Sequence, residues 1–275
     1  MDKQLDHWLI VTDLDGTLLN HHDYSFKEAL STLEKLEAHG IPVIINSSKT
    51  AAEIEQLRRE LNNQTPFIVE NGSGVLIPKT YFKQRPDGAE EYGDYWEVIL
   101  GKPRAELLAG LNQMPALFKN CYQSYSDSTV DDVMLMTGLS RSEATASMDR
   151  RYTEPLKWSD SSATKLEFFD VLRKRHLHHT EGGRFIHLMG QTNKGSAMTW
   201  LARHHAKQYK KNIRIVALGD ANNDIDMFTA ADIAAVIKSP VNPPPEFDHN
   251  HKIMSTQTGA AGWAEVIESI FFKKQ

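Results

Sequence analysis

Through the first sixty residues, short uninterrupted apolar runs alternate with amphipathic stretches. Trp8, Leu9, Ile10, Val11 and Thr12 form one such run and Pro42, Val43, Ile44 and Ile45 a second. Runs of this length without polar alternation predict strands buried on both faces. Between them Ala29, Leu30, Leu33 and Leu36 recur at helical intervals, Ser25 and Glu28 have capping-box spacing, and Gly40 offers a left-handed stop. The pattern then repeats, with Thr50 and Glu53 as a second capping box ahead of Ile54, Leu57 and Leu61, and Phe67, Ile68 and Val69 as a third strand. Strands joined by helices in this order predict a parallel sheet of an α/β protein.

At Glu70, Asn71, Gly72, Ser73 and Gly74 turn residues interrupt the pattern before Val75, Leu76 and Ile77, which predicts a hairpin. From residue 81 to 188 the text is less regular, with helices expected over 104–111, 142–151 and 164–177, and it reads as an inserted α+β domain. The earlier grammar returns in a helix over 194–209, a strand over 213–218, a helix over 225–230 and a strand over 233–237. Pro240, Pro243, Pro244 and Pro245 mark an irregular stretch before a last helix over 263–272. The expected organisation is one core domain made from residues 1–80 and 189–275, interrupted by an insertion at 81–188. A chain of 275 residues is long enough to bury cores of this kind without covalent staples.

Composition narrows the function. The formal charge is -5, from 31 basic and 36 acidic side chains that are mixed along the chain, so no basic stripe invites a nucleic-acid backbone. No apolar run has the length of a leader near Met1 to Leu5 or of a membrane span elsewhere, and a cytoplasmic protein is expected. Cys121 is the only cysteine, which excludes an intrachain disulfide and a thiolate zinc cluster. Several of the twelve histidines stand in adjacent pairs, such as His178 and His179, whose side chains point in different directions on a strand or helix. They read as surface residues.

The chemistry is carried by loops at predicted strand ends. Asp13, Leu14, Asp15, Gly16 and Thr17 follow the first strand directly, at the carboxyl edge where open α/β sheets hold ligands. Two carboxylates one residue apart can face a common centre if Gly16 turns the chain. They suggest divided labour on a phosphate ester, with Asp13 attacking phosphorus and Asp15 donating a proton to the leaving oxygen before activating water. An anion attacking an anion needs a hard divalent cation. Asp220, Asn223 and Asp224 follow another strand and supply the acid for it, Asp220 acting with Asp13 and the main-chain carbonyl of Asp15, and Asn223 and Asp224 ligating or orienting. Ser47 at the end of the second strand and Lys194 at the start of a helix would support the phosphoryl oxygens.

Simpler readings explain parts of this set. Asp220 to Asp224 alone would read as a helix cap, Ser47 likewise, and Lys194 alone as a solvated residue. A calcium loop beginning at Asp13 fails because its last position is Tyr24 rather than a glutamate, a cysteine-phosphatase loop at Cys121 because Asp127 stands where arginine is needed, and a P-loop at Gly190 because no lysine follows the second glycine.

The DLDGT run, Ser47, Lys194 and the GDANND run resemble, in order, the four motifs of the haloacid dehalogenase superfamily. That resemblance implies a Rossmann-like core with a type-II cap inserted after the third strand. The stretches SSKTAAEI from Ser47, ENGSG from Glu70, YTEPL from Tyr152 and GGRFIHLMG from Gly182 are similar to the mannosyl-3-phosphoglycerate phosphatase family, although Asn46 and Ser47 replace a small apolar residue and a threonine. The family implies hydrolysis of mannosyl-3-phosphoglycerate, a small phosphorylated and glycosylated metabolite, with Mg2+ as cofactor. Its rivals are a broader sugar-phosphate phosphatase, a phosphomutase and a non-catalytic binding protein on the same fold. Ser48, Lys49 and Asn71 on core loops, and Glu154, Arg184 and His187 in the insertion, are the candidates for contact with the rest of the substrate, Arg184 being suited to a carboxylate. The sequence says nothing of oligomeric state.

Overall fold

The computed structural model describes residues 7–182 and 184–273; residues 1–5, read above for a leader, and Gly183 of the GGRFIHLMG run lie outside them. Strands β1 (Trp8–Thr12), β2 (Val43–Asn46) and β3 (Phe67–Val69) alternate with helices α1 (Leu30–Ala38) and α2 (Ala51–Glu60). Strand β4 (Gly74–Pro78) and the hairpin of β5 (Glu90–Tyr92) and β6 (Tyr95–Ile99) follow. Then come α3 (Arg104–Asn112), β7 (Tyr122–Ser124), α4 (Val130–Thr137), α5 (Arg141–Met148), β8 (Thr153–Trp158), α6 (Ser162–Lys174), β9 (His178–Gly182) and β10 (Phe185–Met189). The chain closes with α7 (Lys194–Tyr209), β11 (Arg214–Gly219), α8 (Ile225–Ala230), β12 (Ile233–Lys238), β13 (Lys252–Thr258) and α9 (Gly259–Ile267).

The strands form a nine-stranded sheet in the order β13-β12-β11-β1-β2-β3-β4-β6-β5 and a four-stranded sheet in the order β7-β8-β10-β9. The first is parallel from β13 to β3 and antiparallel beyond it. The apolar runs are unbroken because both faces are covered: Ile10, Val43 and Ile45 pack into one cluster, while Leu9, Val11 and Ile44 pack into the other. Since β1 lies between β11 and β2, the loops leaving these three strands share one crevice at the sheet's carboxyl edge.

The Thr50–Glu53 capping box forms, and Gly40 ends α1 with φ of +67°. The Ser25–Glu28 box does not form. The chain makes a 3₁₀ turn at Lys27–Ala29, and Ser25 Oγ takes the Lys27 N–H instead, at 3.3 Å. The hairpin at β3–β4 is present. Residues 90–99 extend the large sheet, although the sequence pattern reads everything from 81 as insertion; β5 is its solvated edge, where Glu90 and Glu91 leave no apolar alternation to read. The smaller sheet and α3 and α6 enclose their own core of Leu107, Phe118, Leu156, Phe168, Leu172 and Leu188. Among the described residues, no helix is long and apolar enough to cross a membrane.

Candidate active site

Asp13 leaves β1 with its N–H on the Leu218 carbonyl at 2.9 Å, so the first loop starts in register with β11. Gly16 then turns with φ of +77°; a Cβ there would stand 2.7 Å from Asp220 Oδ2, so only glycine lets the two loops approach. Thr17 Oγ1 donates to Asp220 Oδ1 at 3.3 Å. Below it, a 3₁₀ turn at Asn222–Asp224 folds Asp224 back, and its Oδ2 accepts the N–H groups of Asp220 and Ala221 at 3.1 and 3.2 Å. Lys194 is the first residue of α7, whose start is fixed by a capping box between Asn193 and Ser196. Its ammonium is buried and donates to Asp13 Oδ1 at 2.5 Å and to Asp224 Oδ1 at 2.7 Å.

Asp13, Asp220 and Asp224 each offer an oxygen within 4.8 Å of the others, and all three are buried. One ammonium does not balance three carboxylates. Burial, with Asp224, Asp220 and Asp15 behind it, holds Asp13 up at about 8 despite Lys194 beside it. Asp220 is raised to about 7, by burial first and by Asp224 next. Lys194 is pulled down by burial, but Asp13 and Asp224 outweigh this and keep it above its usual value. A buried, all-oxygen set with excess negative charge fits a hard divalent cation.

The remaining core candidates line the same crevice. Asp15 is partly exposed; its Oδ2 pairs with Lys49 Nζ at 3.0 Å, while its buried Oδ1 has no hydrogen-bond partner among the described residues. Lys49 also lies 3.9 Å from Glu53; burial would lower its ammonium, but Asp15 and Glu53 hold it above its usual value. Ser47 is buried, its N–H on the Ile68 carbonyl and its own carbonyl taking the Asn71 N–H. The Ser48 carbonyl accepts from Arg150 at 3.2 Å. Asn71, at φ of +58°, accepts from Asn223 Nδ2 at 3.4 Å, and its own buried Nδ2 has no hydrogen-bond partner among the described residues.

The candidates in the insertion separate. His187 is buried toward the core: burial first, then Arg150 and Lys194, push its imidazole down to about 3, and its Nδ1 has no hydrogen-bond partner among the described residues. A Cβ on Gly182 would lie 3.9 Å from His187 Nε2 and 3.8 Å from Asn223 Nδ2, so β9 closes the gap between insertion and core. Glu154 is fully buried, and its carboxylate is held by Arg104 at 2.6 and 2.7 Å and by the Ser126 N–H at 2.7 Å. Arg184 donates to the last carbonyls of α4, Met136 and Thr137, at 3.3 and 3.2 Å.

Four residues that sequence reading passed over have clear work. Thr17 orients Asp220, and Asn46 reaches the backbone of Lys194 at 2.9 Å. Glu70, buried at φ of +49°, takes the N–H groups of Arg151 and Tyr152 and the hydroxyl of Thr153, while its own N–H bonds the Lys49 carbonyl. Arg150 bonds Ser48 and Thr153 and lies 4.0 Å from Glu70. The ENGSG and DLDGT runs hold two of these, Asn46 is marked only as a polar residue in place of a small apolar one, and Arg150 carries no local signal.

Residues 10–87 match a family described as haloacid dehalogenase-like hydrolase, and residues 172–270 match the sucrose-6F-phosphate phosphohydrolase family. Over 263 residues the chain is 36% identical to the glucosyl-3-phosphoglycerate/mannosyl-3-phosphoglycerate phosphatase of Persephonella marina, covering 94% of this chain and 95% of that one. It is 34% identical to the mannosyl-3-phosphoglycerate phosphatase of Pyrococcus furiosus over 232 residues, 83% of this chain and 90% of that one. Among solved structures, a haloacid dehalogenase-like hydrolase from B. subtilis superposes with a TM-score of 0.65 at 18% identity, covering 94% and 98% of the two chains. The sucrose-phosphatase of Synechocystis sp., in complex with sucrose and phosphate, gives 0.62 at 14% identity, covering 96% and 98%.

Proposed function

The chain belongs to the haloacid dehalogenase-like hydrolases and, within them, to the glucosyl-3-phosphoglycerate and mannosyl-3-phosphoglycerate phosphatases, and on that premise we propose that it releases phosphate from glycosyl-3-phosphoglycerates by way of a phosphorylated Asp13. The observation that carries this reading is the buried Lys194 ammonium between Asp13 and Asp224, with Asp220 beside them at the sheet's carboxyl edge.

An oxygen of Asp13 attacks phosphorus, the bond from phosphorus to the ester oxygen breaks, and Asp15 gives that oxygen its proton. Asp15 then takes a proton from water as the water oxygen attacks the same phosphorus; the bond to Asp13 breaks, and inorganic phosphate leaves with both aspartates restored. Lys194 and the Ser47 hydroxyl stabilise the phosphoryl oxygens through the transfer. Asp13, Asp220 and the main-chain carbonyl of Asp15 would hold Mg2+, with Asp224 and Asn223 ligating or orienting. When bound, the ion supplies charge that offsets repulsion between the nucleophile and the phosphate.

We assign the chain to a catalytic core and an inserted cap that closes over the phosphate site and selects the glycerate and sugar. Ser48, Lys49, Asn71 and His187 are the contacts we favour, because they line the cleft and three of them carry charge or polar atoms with no partner among the described residues. Glu154 and Arg184 support the cap that presents them. The test is phosphate release from mannosyl-3-phosphoglycerate, the glucosyl analogue and simple sugar phosphates, with magnesium or EDTA, for the natural chain and Asp13→Asn. Magnesium-dependent turnover that is strongest on the glycosyl phosphoglycerates and absent in the variant is expected. Equal rates across the panel would refute the substrate assignment, and full activity in Asp13→Asn would refute the mechanism.

A further inference from the structure

Asn46 is the last residue of β2 and has no exposed surface. Its Nδ2 donates to the main-chain carbonyl of Lys194 at 2.9 Å and meets Met227 Sδ at 3.4 Å. One amide thus joins the central sheet to the first residue of α7 and to α8, the helix that directly follows Asp224. We propose that Asn46 is a positioning residue for phosphoryl transfer: its side-chain amide sets the first turn of α7, so that the Lys194 ammonium stands between Asp13 and Asp224. This rests on the role given to Lys194 above.

The bond is not explained by the needs of the helix. The Lys194 carbonyl lies at the start of α7, where it already accepts a helical N–H four residues on. The unsatisfied groups at that end of a helix are N–H groups, which Asn46 does not serve. Nor does the amide help the sheet, since its buried Oδ1 has no hydrogen-bond partner among the described residues. A buried, unpaired acceptor is a net loss of stability, and a leucine of similar shape would avoid it.

What the bond does supply is direction. The start of α7 is seated by close backbone contacts: a Cβ on Gly72 would stand 2.2 Å from the Asn193 carbonyl oxygen, and one on Gly195 would stand 2.2 Å from that of Asp226. Such contacts limit how near the helix comes but not how it is turned about its axis. The hydrogen bond from Asn46 restrains that rotation, and it acts on the residue whose side chain must reach two carboxylates at 2.5 and 2.7 Å.

The test compares Asn46→Leu with Asn46→Ala. Both remove the donor, but only alanine empties the space. Rates are read on an aryl phosphate and on a glycosyl-3-phosphoglycerate, with melting temperature measured on the same samples. Loss of alignment on the scale of an ångström predicts a kcat lower by roughly ten- to a hundredfold in both variants, with KM within about twofold. The melting temperature should stay level or rise in Asn46→Leu and fall in Asn46→Ala. A purely structural role cannot separate the two readouts in this way. If kcat in Asn46→Leu is within about twofold of the natural chain, or follows melting temperature across the pair, the proposal is overturned. If leucine prevents folding, an undiminished kcat in Asn46→Ala does the same. A natural chain active on the aryl phosphate alone would refute the glycosyl substrate and leave this comparison to decide Asn46; a chain inactive on both would overturn both.

Discussion

Replacing Lys194 with methionine keeps the reach of the side chain and removes the ammonium that lies 2.5 Å from Asp13 and 2.7 Å from Asp224. Deleting one side of a buried ion pair costs about 3–5 kcal/mol when the partner must stay charged. Here one partner, Asp13, has an alternative: it and the neighbouring Asp220 sit at about 8 and about 7 in the folded chain against an ordinary value of 3.8. Between the ordinary and the folded values these two carboxylates bind more protons in the folded state than in the unfolded one, so their contribution to stability without metal is greatest at low pH and is lost as pH rises through the folded values. The ammonium matters more as Asp13 and Asp220 ionise. The difference in melting temperature between the natural chain and Lys194→Met should therefore be smaller near pH 5 than near pH 9. Near pH 9 it should reach roughly 6–20 °C, taking about 2–4 °C per kcal/mol for a chain of this size. Thermal unfolding followed by circular dichroism in EDTA, at several pH values, measures it directly. A difference that is constant with pH, or largest in acid, would refute the charge balance derived for the cluster.

Gly16→Ala would set a methyl group 2.7 Å from Asp220 Oδ2 on a backbone of φ +77°, so a stability loss of about 1–3 kcal/mol is expected, together with a severalfold higher magnesium requirement in a titration of the rate. Glu154→Gln should lower the melting temperature strongly, by the same buried-pair cost of about 3–5 kcal/mol, because Arg104 and the Ser126 N–H lose their carboxylate. A raised KM with unchanged melting temperature would instead make Glu154 a substrate ligand.

The core was legible because its strands are buried on both faces and its helices carry their own punctuation. The Thr50–Glu53 box and the run over 225–230 needed no tertiary information. The edges were not legible: in β13 only Ser255 is buried, and β5 presents two glutamates to solvent, so neither shows alternation. Helix α4 carries a Thr129–Asp132 box that sequence reading passed over. In the site, Asp13, Asp220 and Asp224 could be gathered from sequence because each lies just past a strand end and the sheet brings those ends together. Glu154 and Asn46 show the limit. Residue type gives the chemistry each can do, but Arg104 and the Lys194 carbonyl, which occupy them, lie 50 and 148 residues away.

The chain passes between core and cap twice, once after β6 and once after β10, and the two passages touch. A Cβ on Gly190 would stand 2.6 Å from the Lys102 nitrogen, and one on Gly101 would stand 2.9 Å from the Ser73 Cβ. Crossings this close behave as one pin. A cap hinged at such a pin, closing as proposed above, would rock rather than slide sideways, and its excursions would grow with distance from the pin. Residues near it, such as Arg151 against Glu70, would stay together in that motion, while Thr50 and Ala146, joined at 2.8 Å, and Gly182 and Asn223 would be the pairs whose separation admits the ester and lets phosphate out.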